Sequence, residues 1–255
     1  MTLAVILDMD GLLLDTEPIS LRVWKHAAQR LGYELDDEVC ERMIGVGQAD
    51  NKVMLLGHFG NQFPVDELIA LAQASYREVL DAGGVPHKPG LLDFVRFLDE
   101  RGIPRAVATS TATELAKHKL HQARVLHHFD IVVGGEQVSR GKPEPDIFLE
   151  AAARLGYPPE DCVVLEDSGP GVRAAVAAGM RPILIPDGRE PSADVREAAH
   201  AVVESLSAAR VVIERMMNGG GPWLGSSVTC SPSPAMTPRT KDGLRTKAKG
   251  PGTMS

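Results

Sequence analysis

The sequence predicts an α/β protein: a parallel sheet covered by helices, with an α-helical domain inserted directly after the first strand. Three observations predict it. The run LAVIL, residues 3–7, is short and wholly apolar, as a strand buried on both faces is. Residues 17–82 carry helical periodicity and no strand of comparable quality. From about residue 86 onward, helical and strand patterns alternate, the signature of crossover units and a parallel sheet.

The elements follow in order. After LAVIL comes the turn DMDG, then segments such as SLRVWKHAAQRLG and VDELIALAQASYREVLDAGG, each closed by glycine as a helix stop. PGLLDFVRFLDERG is a helix with proline near its start and glycine at its end. RAVATS, DIVVGG, CVVLED, RPILIP and AVVESL read as strands. TELAKHKLHQARV, PDIFLEAAARLG, GPGVRAAVAAG and a terminal segment read as helices between and after them. The first strand joins this sheet, so residues 1–16 and 84–217 form a Rossmann-like core and residues 17–83 a helical cap. From residue 218 to 255 the chain is rich in Gly, Pro, Ser and Thr without a period, and it reads as a disordered tail.

Composition narrows the function. Of 255 residues 44% are hydrophobic and 24% charged, ordinary for a globular protein with a core. The formal net charge of -7 argues against general binding to nucleic acid or a membrane surface. Cys40, Cys162 and Cys230 are isolated, which fits a reducing compartment and neither a disulfide framework nor a zinc site. The N-terminal run has no basic leader and is interrupted by Asp8 and Asp10, so it reads as neither a signal peptide nor a membrane span. The expectation is a cytoplasmic protein, with a monomer as the default.

The chemistry concentrates at strand ends. Asp8 and Asp10 lie two apart beyond the first strand, so both carboxylates can face one crevice, and Gly11 permits the sharp turn that follows. In open parallel sheets that crevice is where ligands bind. Crowded carboxylates repel, and a divalent cation relieves them. Glu166 and Asp167 close a second strand and can approach the first pair to complete an oxygen-rich site suited to Mg²⁺. For that second pair alone, a helix cap by Asp167 or Ser168 is as good a reading; beside the first pair a metal role is better. Thr109 and Ser110 end another strand ahead of a helix, where hydroxyls and free N–H groups can seat a phosphate. Lys142 sits in the loop RGKPEPD, where its point charge could neutralise a phosphoryl group. His118, His121, His127 and His128 cluster in sequence, but away from the strand-end motifs, and read as a solvated helix face.

In this order and spacing, DMDGLLLDTEP, VATST, GKPEPDIF and VVLEDSGPGVRAA resemble the four motifs of the haloacid dehalogenase-like hydrolase superfamily, most closely its phosphatase branch. The resemblance spans residues 3–215. It implies Asp8 as nucleophile and Asp10 as general acid/base, the latter expected to have a raised pKa. It implies Thr109 and Lys142 as phosphoryl-binding groups. It also implies a magnesium site of Asp8, the Asp10 backbone carbonyl and Asp167, with Glu166 assisting. The superfamily's dehalogenases lack the second aspartate of the first motif, so Asp10 argues for phosphate chemistry. The implied activity is Mg²⁺-dependent hydrolysis of a small phosphorylated metabolite through an aspartyl phosphate.

Within the branch the chain resembles sugar-phosphate and pseudouridine-5'-phosphate phosphatases, with β-phosphoglucomutase close behind. The mutase histidine falls at Ser20, and its loop arginine at Gln48, in the glycine-punctuated segment 43–51. Both departures favour hydrolysis over the alternative, a mutase-type phosphotransferase. A non-catalytic phosphate-binding protein is a further alternative, disfavoured because Asp8, Asp10, Lys142 and Asp167 are all present.

Overall fold

The computed structural model describes residues 3–43, 48–188 and 190–219. Residues 44–47 and the side chains of 48–50 lie outside the description, and with them most of the segment 43–51 and the Gln48 side chain; so do residues 220–255 of the expected tail.

Six strands form one sheet in the order β3-β2-β1-β4-β5-β6, with every neighbouring pair parallel. They are β1 (Ala4–Leu7), β2 (Arg105–Thr109), β3 (Ile131–Gly134), β4 (Cys162–Glu166), β5 (Arg181–Leu184) and β6 (Ala201–Val202). The α/β fold read from the sequence is therefore the observed one. Side-chain alternation divides the core. Val5, Leu7, Val107, Val163 and Leu165 face one apolar cluster, while Ala4, Ile6, Ala106, Ala108, Cys162 and Val164 face the other. A strand covered on both faces must be apolar at every position, which is why LAVIL and CVVL carry no alternation to read.

Between β1 and β2 lie α1 (Glu17–Arg30), α2 (Asp37–Met43), α3 (Gln48–Phe59), α4 (Val65–Gly83) and α5 (Leu91–Glu100). The first four make a helical insertion. Helices α1 and α4 pack along each other and bury Val23, Ala27, Leu68, Ala72 and Leu80. Tyr33, Phe59 and Phe63 add an aromatic corner, with Tyr33 and Phe63 edge-to-face at 4.8 Å. The chain enters and leaves the insertion side by side. Asp15 N donates to Pro86 O at 2.9 Å, and Lys88 N to Leu13 O at 2.9 Å.

The remaining helices are α6 (Thr113–Gln122), α7 (Asp146–Leu155), α8 (Gly169–Ala177), α9 (Ala193–Ala198) and α10 (Leu206–Met217). Two details depart from the sequence reading. AVVESL contributes only Ala201–Val202 to the sheet, because Ser205 turns the chain by capping α10, its Oγ accepting from Ala208 N at 3.2 Å. The short α9 was not legible, being too brief for a helical period to register. No helix among the described residues is long and apolar enough to cross a membrane.

Candidate active site

The chain leaves β1 for β2 on one side and reaches β4 on the other, so the β1–β4 boundary is the topological switch point of the sheet. The predicted residues meet at its carboxyl edge. Asp8 follows β1 in register, its N–H bonded to Leu165 O at 3.0 Å, and it is buried. Glu166, the last residue of β4, is fully buried beside it. Lys142 arrives from the loop before α7. Its Nζ lies 2.5 Å from Asp8 Oδ1 and 2.5 Å from Glu166 Oε1.

Glu166 has little freedom. Its second oxygen accepts from Asp167 N at 3.0 Å, Ser168 N at 2.9 Å and Ser168 Oγ at 2.8 Å. Ser168 also caps α8, accepting from Gly171 N at 3.2 Å. The capping reading of this segment holds through Ser168, which opens α8 as its N-cap. Gly171 makes room, since a Cβ there would sit 1.9 Å from the Glu166 carboxyl.

Asp8, Glu166 and Asp167 each offer an oxygen within 4.8 Å of the others. One ammonium faces three carboxylates, and the electrostatics show it. Burial, set against the Lys142 charge and reinforced by Glu166, raises Asp8 to about 7. Burial and then Glu166 and Asp8 raise Asp167 well above the ordinary carboxylate range. Burial disfavours the Lys142 charge, yet Asp8 and Glu166 outweigh it and hold the ammonium above its ordinary value. The donor set fits a hard divalent cation: three oxygens, negative in excess and drawn together. The turn after Asp10 is shaped to the same end. Gly11 has φ +86°, and a Cβ there would lie 2.2 Å from Asp167 Oδ2. A second carboxylate group, Glu17, Asp167 and Asp187, adjoins it, with Asp187 bound by Lys88 at 2.6 Å.

Asp10 is held differently. Its Oδ1 accepts from Thr16 Oγ1 at 2.5 Å and Lys119 Nζ at 2.7 Å, and its Oδ2 from Thr111 Oγ1 at 2.7 Å. Its carboxylate therefore stands outside the three-carboxylate group. Burial pushes Asp10 up, but Lys119 and the two hydroxyls prevail and hold it below its ordinary value. This corrects the expectation of a raised pKa for Asp10. The buried Lys119, invisible to motif reading, decides the sign.

Thr109 ends β2 buried, and its Oγ1 accepts from Thr111 N at 3.2 Å; Ser110 is exposed just beyond. The N-terminus of α6 is less open than expected. Both oxygens of Glu136 accept from Thr113 N at 3.0 Å, so the expected phosphate seat would have to rest on residues 109–111, not on the first turn of α6. Away from this edge, His118 contacts Asp81 and His128 contacts Asp99.

Sequence reasoning missed Thr16, Thr111 and Lys119. Only Lys119 left a signal. It lies three residues from Ala116 and beside Leu120 on the apolar face of α6, where a lysine needs a buried partner.

The chain is similar to known proteins along most of its length. A family model described as haloacid dehalogenase-like hydrolase matches residues 2–179. A phosphorylated carbohydrates phosphatase of Thermotoga maritima is 30% identical, over 83% of this chain and 90% of its own length. A β-phosphoglucomutase of Bacillus subtilis is 29% identical, over 73% of this chain and 84% of its own. The crystal structure of CbbY from Rhodobacter sphaeroides in complex with phosphate superposes with a TM-score of 0.72 at 27% identity, covering 81% of this chain and 96% of that one.

Proposed function

The chain belongs to the haloacid dehalogenase-like hydrolase family, and on that premise we propose that it is a Mg²⁺-dependent phosphomonoesterase acting on a small phosphorylated metabolite, a sugar or nucleotide phosphate. The observation that carries the reading is the convergence of Asp8, Lys142, Glu166 and Asp167 at the switch point, with Asp10 beside them. The T. maritima phosphatase and the phosphate-bound CbbY structure support it.

In this reading an Asp8 oxygen attacks phosphorus in line, forming the Asp8–phosphoryl bond as the bond to the leaving oxygen breaks. Asp10 gives its proton to that oxygen. The arrival of a dianionic phosphate beside Asp10 raises its proton affinity for this step. Asp10, ionised again, then takes a proton from the water that attacks the phosphoryl group. The Asp8–phosphoryl bond breaks, and inorganic phosphate leaves. Lys142 neutralises Asp8 before attack and the phosphoryl oxygens during it, and Thr109 and Ser110 line the seat. Asp8, Asp167 and the Asp10 backbone carbonyl would hold Mg²⁺, with Glu166 assisting through its hold on Lys142. The cation supplies charge neutralisation for the nucleophile and the equatorial oxygens.

Residues 17–83 serve as a cap in this account, closing over the crevice, excluding water and contacting the leaving group. A lidded pocket favours small metabolites over folded protein substrates. The mutase is the second reading, favoured by the B. subtilis relative and disfavoured by Ser20 at the position of the mutase histidine. The test is chemical: label from a phosphoryl donor such as acetyl phosphate should be trapped on the wild-type protein by rapid acid quench and be absent from Asp8→Asn. Equal labelling of both proteins contradicts the role of Asp8.

A further inference from the structure

Helix α6 buries Thr113, Ala116, Lys119 and Leu120, and Lys119 is the only charged residue of these four. An ammonium on a buried face is costly unless its surroundings compensate. Here the compensation comes from two sides. On the core side Nζ lies 2.7 Å from Asp10 Oδ1 and 3.5 Å from Thr111 Oγ1. On the cap side it lies 4.9 Å from the centroid of the Tyr76 ring, which α4 delivers. Tyr76 is only 7% exposed. Its hydroxyl faces Ser20 and Lys119 yet closes no hydrogen bond in good geometry. The seam between α4 and α6 is fixed lower down by Asp81, which contacts His118 Nε2 at 2.9 Å and accepts from Gln122 Nε2 at 2.9 Å.

We propose that Lys119 is a positioning residue through which the cap sets the orientation of the Asp10 carboxylate, a proposal that rests on Asp10 being the acid/base. With α4 seated on α6, the Tyr76 ring covers the ammonium and keeps water off it, leaving Asp10 as its anionic partner. The carboxylate is then fixed through both oxygens, by Lys119 and Thr16 on one and Thr111 on the other. Lifting α4 uncovers the ammonium, water competes for it, and the orientation of Asp10 loosens. A residue kept only to pack α6 would be apolar, because replacing a buried ion pair by apolar groups is commonly neutral or stabilising.

The consequence depends on the leaving group. An alkoxide needs the proton of Asp10, whereas p-nitrophenolate departs without it. The experiment compares full-length wild type, Lys119→Met, Lys119→Arg and Tyr76→Leu in Mg²⁺, on p-nitrophenyl phosphate and on the fastest of a set of hexose and hexitol phosphates. Lys119→Met should lower kcat on the sugar phosphate by about 100-fold, with KM changed less than about threefold and p-nitrophenyl phosphate turnover changed less than about fivefold. Tyr76→Leu should show the same split at about 10-fold, and Lys119→Arg should regain part of the loss. Should Lys119→Met not fold, Lys119→Gln and Tyr76→Leu carry the same comparison. Equal losses on both substrates, or an unchanged kcat, overturn the proposal alone. A folded wild type that releases phosphate from no compound overturns the reading of the reaction, and this proposal with it.

Discussion

Lys142 Nζ stands 2.5 Å from an oxygen of Asp8 and 2.5 Å from an oxygen of Glu166, so one ammonium bridges the ends of two adjacent strands. It arrives from a loop remote in sequence from both. All three side chains are nearly or fully buried, and with Asp167 the site still carries an excess of negative charge. Burial first, and then that imbalance, raises Asp8 and Asp167.

Removing the bridge should therefore do more than weaken substrate binding. Lys142→Met leaves two buried carboxylates without their cation, a change that typically costs about 3–5 kcal/mol. Denaturant unfolding of the metal-free variant near neutral pH should show a loss of that order, partly recovered by Mg²⁺. An unchanged midpoint would mean the bridge does not persist in solution.

The pH dependence has a definite sign. Asp8 is raised from 3.8 to about 7 on folding. Its contribution to stability is thus fully present below the unfolded value and is lost as pH rises through about 7. Asn at position 8 does not titrate. With both proteins metal-free, the thermal midpoint of Asp8→Asn relative to wild type should climb by about 5 °C between about pH 5 and pH 8. Mg²⁺ should stabilise wild type more at the higher pH, where its ligands are ionised. A difference that stays flat with pH contradicts the raised Asp8.

Gly11 tests the proposed metal site without replacing a carboxylate. At φ +86° an alanine is strained, and its Cβ would meet Asp167 Oδ2. Gly11→Ala should cost about 1–2 kcal/mol of stability and displace Asp167. The Mg²⁺ concentration for half-maximal activity should then rise by about 10–100-fold. Loss of stability at unchanged Mg²⁺ dependence would confine Gly11 to a backbone role.

Asp10→Asn removes the proposed proton transfer and keeps the side chain's size. Turnover of a sugar phosphate should fall by about 100-fold or more, and turnover of p-nitrophenyl phosphate by much less. Steady-state kinetics on the two substrates separate the outcomes, and equal losses count against an acid/base role.

Much of this was legible because the strand ends carry local signals. LAVIL followed by DMDG announces a buried strand and a tight turn within a dozen residues, and CVVLED followed by SGPG repeats the pattern. Asp8, Glu166 and Asp167 could therefore be placed together from local pattern, whereas Lys142 joined them only through the family resemblance. The state of Asp10 could not be read this way. It is set by Lys119, 109 residues away in sequence, on a helix whose charged residues otherwise look like an exposed face. Glu136 hid for the same reason: its capping of Thr113 depends on β3 lying beside the start of α6. Motifs report contacts that are local or repeated between proteins. The Lys119–Asp10 pair joins the turn after β1 to a helical position outside those motifs.

The central claim is tested most directly by phosphate release, measured with and without Mg²⁺ across phosphorylated sugars, nucleotides, phosphoglycolate and β-glucose 1-phosphate. The account predicts release that requires Mg²⁺ and peaks on one compound. Conversion of β-glucose 1-phosphate to the 6-phosphate without release, or no reaction at all from the folded, Mg²⁺-loaded protein, would contradict it.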